Sequence, residues 1–369
     1  MQKVLDDLCD YRRYCWNTGL ALWNDMYEES LILEDKKLKP TQYKVRDELV
    51  ANKEDWQYRL SARCLQLAIE DLSKAWKNFF DKAQVDWGKP RFKSKKATRQ
   101  GFKTDRAKII KGKLRLDKPH GIKNWYDIRM SGAKLLTGEL KVVSIYCENG
   151  KYRASLPFEI EVANKVKTNR VTAVDVNVGH INYTEGKINT LPDNLKRLYK
   201  RIKYYQRMLA RKSVVNGKRA TKSNNYVKTR AKFQRDYRKV ANIQHDIMQK
   251  FTTQLVEEYD KIVIEDLAVK EMQMTHVASK GLQRSMFGYL RQILSYKCDW
   301  YGKDLLIADK YYPSTQRCSN CGYVKTGEEK VGLNGNLKYG TKHNEYICYE
   351  CGNIMDRDEN AVLNLLALI

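Results

Sequence analysis

Between residues 62 and 80 the apolar side chains return every three or four positions, so that Leu65, Ala68, Ile69, Leu72, Trp76 and Phe79 share one face of a helix. Tyr14, Leu22, Trp23 and Tyr27 repeat that spacing earlier in the chain, with a turn region around "DKKLKPTQ" between the two stretches. The pattern predicts packed helices through about residue 85, with Lys and Arg left outside. At Gly88 the pattern changes. "GKPRFKSKKATRQGFK" is a basic connector punctuated by Gly and Pro, and the short alternating runs "KLRL", "YDIRM" and "LKVVSIYCENGKYRASLPF" follow it. The last predicts a hairpin turning at Asn149-Gly150. Basic and aromatic residues interleave here as they do on a nucleic-acid surface, although a plain β-barrel with a basic exterior gives the same pattern.

"NRVTAVDVNVGHINYTEGKINTL" opens another domain with a strand carrying Asp175, a glycine and a second alternating strand. Two long helical patterns follow, "NLKRLYKRIKYYQRMLARK" and "NNYVKTRAKFQRDYRKVANIQHDIMQKFTTQLVEEY", separated by "SVVNGKRATKS". No Asp or Glu stands between Lys196 and Lys232, so the intrahelical pairing of an ordinary solvated face is missing. Lys196, Arg197, Lys200, Arg201, Lys203, Arg207, Arg211 and Lys212 are therefore candidate nucleic-acid contacts. "KIVIEDLAV" predicts a strand ending in Glu265 and Asp266, and "SMFGYLRQILSYKCDWYGKDLLIADKYY" reads helix, glycine, strand. Strands separated by helices predict an α/β sheet with covered faces.

Charge narrows the function. A formal net charge of +25 over 369 residues is far from what an enzyme of small molecules needs, and points to a polyanionic partner whose counterions are released on binding. The chain has no apolar run of roughly 18 residues, and its start, "MQKVLDDLCDYRRYCW", lacks the order of a signal peptide. A soluble, cytoplasmic protein with no membrane partner is expected. Of nine cysteines, Cys9, Cys15, Cys64, Cys147 and Cys298 are scattered and read as buried thiols. The other four form "CSNCG" at Cys318 and Cys321 and "CYECG" at Cys348 and Cys351, two C-x2-C knuckles 26 residues apart. Four thiolates close a tetrahedral shell around zinc, leaving no open position, so this zinc is structural; an iron-sulfur cluster is the alternative.

Three acids remain: Asp175 in one strand, Glu265 at the end of another, and Asp358 just beyond the second knuckle. Carboxylates at neighbouring strand ends, joined by one from a helix start, can converge on a pair of Mg2+ ions suited to phosphodiester cleavage. Singly, Asp356 or Asp358 could instead cap the final helix, and Glu265 or Asp266 could face solvent.

"VTAVDVNVGHI", "IVIEDLAV", "ADKYYPSTQRCSNCG" and "CYECGNIMDRDENAVLNLL" resemble, in order, the RuvC motifs and zinc ribbon of the transposon-encoded TnpB proteins, compact relatives of type V CRISPR effectors. The resemblance is specific from about residue 170 onward and looser before it. It implies a multidomain architecture: a helical recognition region at 1–87, a wedge-like β-barrel portion at 88–168, an RNase H-like α/β RuvC nuclease domain at 169–317 and 352–369, and a zinc ribbon at 318–351. The basic helical hairpin at 191–258 belongs to the RuvC domain. The resemblance also implies that Asp175, Glu265 and Asp358 are the catalytic triad, Asp356 a supporting acid, and Arg317 a DNA contact near the site. Its implied activity is Mg2+-dependent, RNA-guided cleavage of double-stranded DNA in a prokaryotic cell, with a guide RNA as partner. An RNA-guided repressor that binds without cutting is the alternative, and an unguided RuvC nuclease a third reading. Two departures from the family are visible: Asn177 stands where the family has glycine, with Gly179 available for the turn, and the strands that usually precede the first helix are expected to be missing.

Overall fold

The computed structural model describes residues 1–83, 87–97, 99–118, 121, 123–132, 137–148, 150–162, 165–215, 218–219, 221, 223–267, 281, 285–332 and 334–369. The chain divides into two units, Met1–Glu161 and Val162–Ile369.

In the first unit four helices, α1 (Gln2–Ile32), α2 (Gln42–Ala51), α3 (Asp55–Tyr58) and α4 (Ala62–Phe80), precede eight short strands. These are β1 (Arg99–Thr104), β2 (Lys108–Ile110), β3 (Lys113–Leu116), β4 (Tyr126–Arg129), β5 (Glu139–Leu140), β6 (Val143–Glu148), β7 (Lys151–Ser155) and β8 (Phe158–Glu159). The apolar stripe of α4 packs on α1: Leu65, Ala68, Ile69, Leu72 and Trp76 are buried together with Leu5, Leu8, Tyr11, Leu20 and Trp23. Phe79 departs from the expected stripe. It stands exposed beside Phe80 in the last turn of α4, edge-on to Trp76. Phe102, Leu114, Val143 and Ile145 from the strands enter the same core, so helices and strands bury one another's apolar faces. Among the described residues the strands pair as three small sheets, β1-β6-β7, β2-β3-β4 and β5-β8, rather than as one continuous ladder. The expected hairpin joins β6 to β7 with Glu148 opposite Lys151 and Gly150 at φ +72°; Asn149 lies outside the described residues.

The second unit is built on a five-stranded sheet in the order β11-β10-β9-β14-β15. β9 (Val171–Asn177), β10 (His180–Tyr183) and β11 (Gly186–Asn189) are an antiparallel meander. α5 (Asp193–Lys212), the short β12 (Val214–Val215) and β13 (Lys218–Arg219), and α6 (Asn224–Glu258) lead to β14 (Lys261–Glu265), parallel to β9. α7 (Phe287–Tyr301) then crosses to β15 (Asp304–Ala308), parallel to β14. The hairpin β16 (Glu345–Ile347) and β17 (Ile354–Asp356) leads into α8 (Arg357–Leu366).

Alternation along the strands decides which helix covers which face. Val174, Ile262 and Ile264 pack against α6 and α7 through Phe251, Leu255, Leu290 and Leu294. Ala173, Val263 and Ala308 pack against α8 through Val362 and Leu365. Because side chains two apart share a face, Asp175 and Glu265 follow Ala173 and Val263 onto the α8 side, at the carboxyl ends of adjacent parallel strands. The two long helices pack on each other through Leu195, Leu198, Ile202 and Val240. No helix among the described residues is long and apolar enough to cross a membrane.

Candidate active site and zinc ribbon

Three elements bring the predicted acids together. Val174 pairs with Ile264, which sets Asp175 and Glu265 side by side on β9 and β14. Asp358 sits in the first turn of α8, over that same face. Asp356 caps the helix, its Oδ1 accepting the backbone N–H of Asp358 at 2.9 Å and of Glu359 at 3.2 Å. With the cap supplied, the Asp358 carboxylate is released from that duty. Asp266 points elsewhere and pairs with Arg291.

Each acid of the three receives one side-chain hydrogen bond. Asn177 Nδ2 donates to Asp175 Oδ2 at 2.6 Å, His180 Nε2 lies 2.9 Å from Asp358 Oδ2, and Ser314 Oγ donates to Glu265. Asn177 and His180 face each other across the β9–β10 turn, where Gly179 takes φ +97°. The turn that the family builds on an earlier glycine is thus made by Gly179, and Asn177 is free to hold Asp175. The motif "VDVNVGHI" contains His180 and the motif "YYPSTQ" contains Ser314, but neither is marked by periodicity; only the pairing of strands shows what they touch.

Asp175 is 3% exposed, and no Lys or Arg among the described residues forms an ion pair with any of the three acids. Burial first, then the charges of Glu265 and Asp358, push the Asp175 carboxyl up to about 8, against the opposing hydrogen bond of Asn177 and the charge of Arg357. Burial also raises Glu265, and Ser314 opposes it. One buried and two half-buried carboxylates with no Lys or Arg ion pair among the described residues are a donor set that a hard, oxygen-seeking ion satisfies. The three carboxylates do not crowd into a one-ion cage: among the described residues, only the four knuckle cysteines place three or more ligand atoms within 4.8 Å of one another. Two ions about 3.5–4 Å apart accommodate acids at that wider spread.

The cysteines are closer. Sγ of Cys318 is 3.8 Å from that of Cys351, and Sγ of Cys321 is 3.6 Å from that of Cys348. A tetrahedron with Zn–S bonds of about 2.3 Å has edges of about 3.8 Å, so the set fits zinc. The two knuckles are built alike. Cys318 N donates to Tyr323 O and Gly322 N to Cys318 O, while Cys348 N donates to Asn353 O and Gly352 N to Cys348 O. Gly322 at φ +79° and Gly352 at φ +69° make the turns that a β-carbon would strain. Of the scattered cysteines, Cys9, Cys15, Cys64 and Cys298 are buried as expected, whereas Cys147 is only half-buried.

Two buried asparagines join ribbon to active site. Asn360 Oδ1 accepts from Ser319 N at 2.9 Å and its Nδ2 donates to Arg317 O at 2.7 Å. Asn364 Nδ2 donates to Ser314 O at 2.8 Å and to Arg317 O at 2.7 Å. One turn of α8 therefore carries Asp358 outward and fastens the first knuckle inward, which explains why metal-spaced cysteines and an acidic turn stand side by side in the sequence. Arg317 is half-buried there, its backbone oxygen fully engaged.

On α5, Arg197, Lys200, Lys203, Arg207 and Arg211 are exposed without a carboxylate partner among the described residues. At about 100° per residue they occupy an arc of about 120°, opposite Leu195, Leu198 and Ile202. Three predicted contacts are already engaged: Lys196 with Asp193, Arg201 with the buried Asp236, and Lys212 with Thr229.

Residues 287–365 match the family model described as "Cas12f1-like, TNB domain", and residues 155–275 match that described as "Probable transposase". Over 331 residues the chain is 29% identical to a "Putative RNA-guided DNA endonuclease" of Streptomyces pristinaespiralis, spanning 89% of this chain and 75% of that protein. It is 30% identical over 298 residues to the "Putative RNA-guided DNA endonuclease InsQ" of Escherichia coli K12, spanning 74% of this chain and 69% of that protein. Among solved structures, the cryo-EM structure of a Cas12f1-sgRNA-target DNA complex is similar in fold, with a TM-score of 0.56 at 12% identity, over 97% of this chain and 81% of that one.

Proposed function

The chain belongs to the TnpB family, and on that premise we propose that it is an RNA-guided DNA endonuclease that cuts double-stranded DNA at the Asp175–Glu265–Asp358 site. Its partners are a guide RNA and target DNA. The observation that carries the reading is the convergence of three acids from β9, β14 and α8 on one sheet face, with no Lys or Arg among the described residues in an ion pair with any of them.

Asp175 and Asp358 would hold a pair of Mg2+ ions, and Glu265 would complete the shell. When bound, the ions supply the charge that stabilises attacking and leaving oxygens in phosphodiester hydrolysis. The protein's own part is positioning. Asn177, His180 and Ser314 each hold one carboxylate by a hydrogen bond, so the acids keep their orientation while the substrate strand enters. The open arc of α5 offers Arg197, Lys200, Lys203, Arg207 and Arg211 to phosphates of the guide or heteroduplex, and Arg317 adds a cation beside the active site. The four knuckle cysteines hold a structural zinc that fixes α8, and with it Asp358.

Purifying the chain with its copurifying RNA, sequencing that RNA, and assaying a matching duplex with and without Mg2+ tests the proposal. Cleavage that requires Mg2+ and disappears in Asp175→Ala is the expected result. Tight guided binding with no cutting in the unaltered protein overturns it.

A further inference from the structure

The first unit holds a feature that the nuclease reading does not use. Trp23, Trp76 and Phe80 form a stack of nearly parallel rings, with Trp23 and Trp76 at 6.1 Å and 9°, and Trp76 and Phe80 at 5.7 Å and 20°. Trp23 and Trp76 are 7% and 3% exposed, but Phe80, the last ring, is 55% exposed. The stack therefore ends on a ring more than half exposed, against which Phe79 stands at 5.1 Å and 60° and Tyr27 at 6.4 Å and 40°. It forms the wall of a groove of about 830 Å³ between the ends of α1 and α4 and the start of α2.

The rim is predominantly cationic. Lys39 and Lys77 line the groove, are exposed, and have no carboxylate partner among the described residues. Lys89, from the basic connector, places its Nζ 5.5 Å from the Trp76 ring centroid. Asp81 is the one acid in the lining. An exposed aromatic ring among unpaired ammonium groups suits a ligand that combines flat rings with negative charge. A buried apolar peptide would leave the lysines unmatched, and a second copy of a +25 chain would bring like charge against them.

We propose that this groove is a stacking site for an unpaired base of single-stranded nucleic acid, which continues the Trp23–Trp76–Phe80 stack while Lys39 and Lys77 take the flanking phosphates. Stacking on aromatic rings reads no base edge, so the site takes any base. The proposal rests on the nucleic-acid partners of the preceding reading but not on cleavage.

The test uses the full-length protein freed of RNA. Affinity is measured for an eight-residue oligouridylate RNA, for the corresponding deoxy oligomer, and for an abasic oligomer with the same number of phosphates. Phe80→Ala is expected to weaken the base-bearing oligomers about 10-fold while leaving the abasic one unchanged, and Phe80→Trp to restore binding. The tighter of the RNA and DNA arms identifies the strand. Photocrosslinking with 5-iodouridine is expected to label the peptide containing Phe80. Equal losses for abasic and base-bearing oligomers, no loss at all, or a dimer that Phe80→Ala converts to monomer each overturn the proposal. Guided cleavage by the unaltered protein is followed in parallel. Its absence with stacking intact sinks the endonuclease reading alone, and its presence with no effect of Phe80→Ala on oligomer affinity sinks the groove alone.

Discussion

The four-cysteine ribbon and the carboxylate site are both clusters of potential metal ligands, but they are assembled in opposite ways. The ribbon draws its four ligands from two short knuckles whose backbone amides and glycines fix each turn locally, and its sulfurs already stand at tetrahedral spacing. The acids come from two strands and a helix, 90 and 93 residues apart in sequence, and their spread leaves room for ions, water and substrate. Closed geometry suits a metal that holds a fold together; open geometry suits one that must admit a reacting group. The comparison also explains why the acids are costly to the empty protein and the knuckles are not. Asp175 is buried beside two like charges, whereas the exposed Cys321 and Cys351 alternate with buried Cys318 and Cys348 at the edge of the ribbon.

The largest effect expected from breaking this contrast is loss of the ribbon metal. A strong zinc chelator, or Cys348→Ser, should unfold residues 318–356 and abolish cleavage, because structural zinc contributes folding energy outright. Loss of one absorbing Co2+ site in the substituted protein, measured beside cleavage, checks it; full activity without metal would separate ribbon from site. Next comes Asp175→Ala. Cleavage should fall at least about 1000-fold with guided binding retained, since the charge stabilisation it anchors is worth several kcal/mol. The same variant should melt higher than the unaltered protein at pH 8 without Mg2+, because a repelled buried charge is gone.

The sign of the pH dependence follows. Asp175 has a folded pKa raised from the ordinary carboxylate range to about 8, so the metal-free protein is favoured when that group is protonated and loses stability as pH climbs from about 4 through about 8. Glu265 is raised in the same direction. Thermal melting across that window should show a decline that excess Mg2+ removes and that Asp175→Asn reduces to the contribution of Glu265. A flat profile in the metal-free protein would refute the charge repulsion on which the active-site reading depends.

Asn364→Ala is expected to act on both regions at once. It takes the Asn364 donor from the backbone oxygen of buried Ser314 and leaves that of Arg317 with Asn360 alone, at a cost of about 1–3 kcal/mol. Stability and cleavage should fall together, while zinc content stays unchanged. The smallest effect belongs to the basic face of α5. Arg207→Ala should weaken RNA binding a few-fold and reduce the slope of log affinity against log salt by about one, with no change at the metal sites.

Much of this was legible in the sequence because it depends on local rules. The knuckles announce themselves by spacing and glycine, the long basic helices by period and by missing acids, and β9 and β14 by β-branched runs ending in Asp175 and Glu265. What escaped depends on contacts across the fold. Asn360 and Asn364 read as ordinary polar positions of a short helix until their amides are seen to fasten the first knuckle. His180 and Ser314 acquire meaning only when strand pairing and the approach of the 312–317 segment bring them to carboxylates 178 and 49 residues away. Phe79 failed for a simpler reason: a helical stripe names a face, but not the turn at which that face leaves its neighbour.

The place of α8 also bears on how the protein is made. A ribosome delivers Asp175 and Glu265 well before the ribbon and the helix that carries Asp358. Until α8 has docked on the sheet, the nascent chain holds two of the three acids of the proposed site. The order of synthesis thus leaves the proposed site to be completed by α8, after the sheet that carries the other two acids.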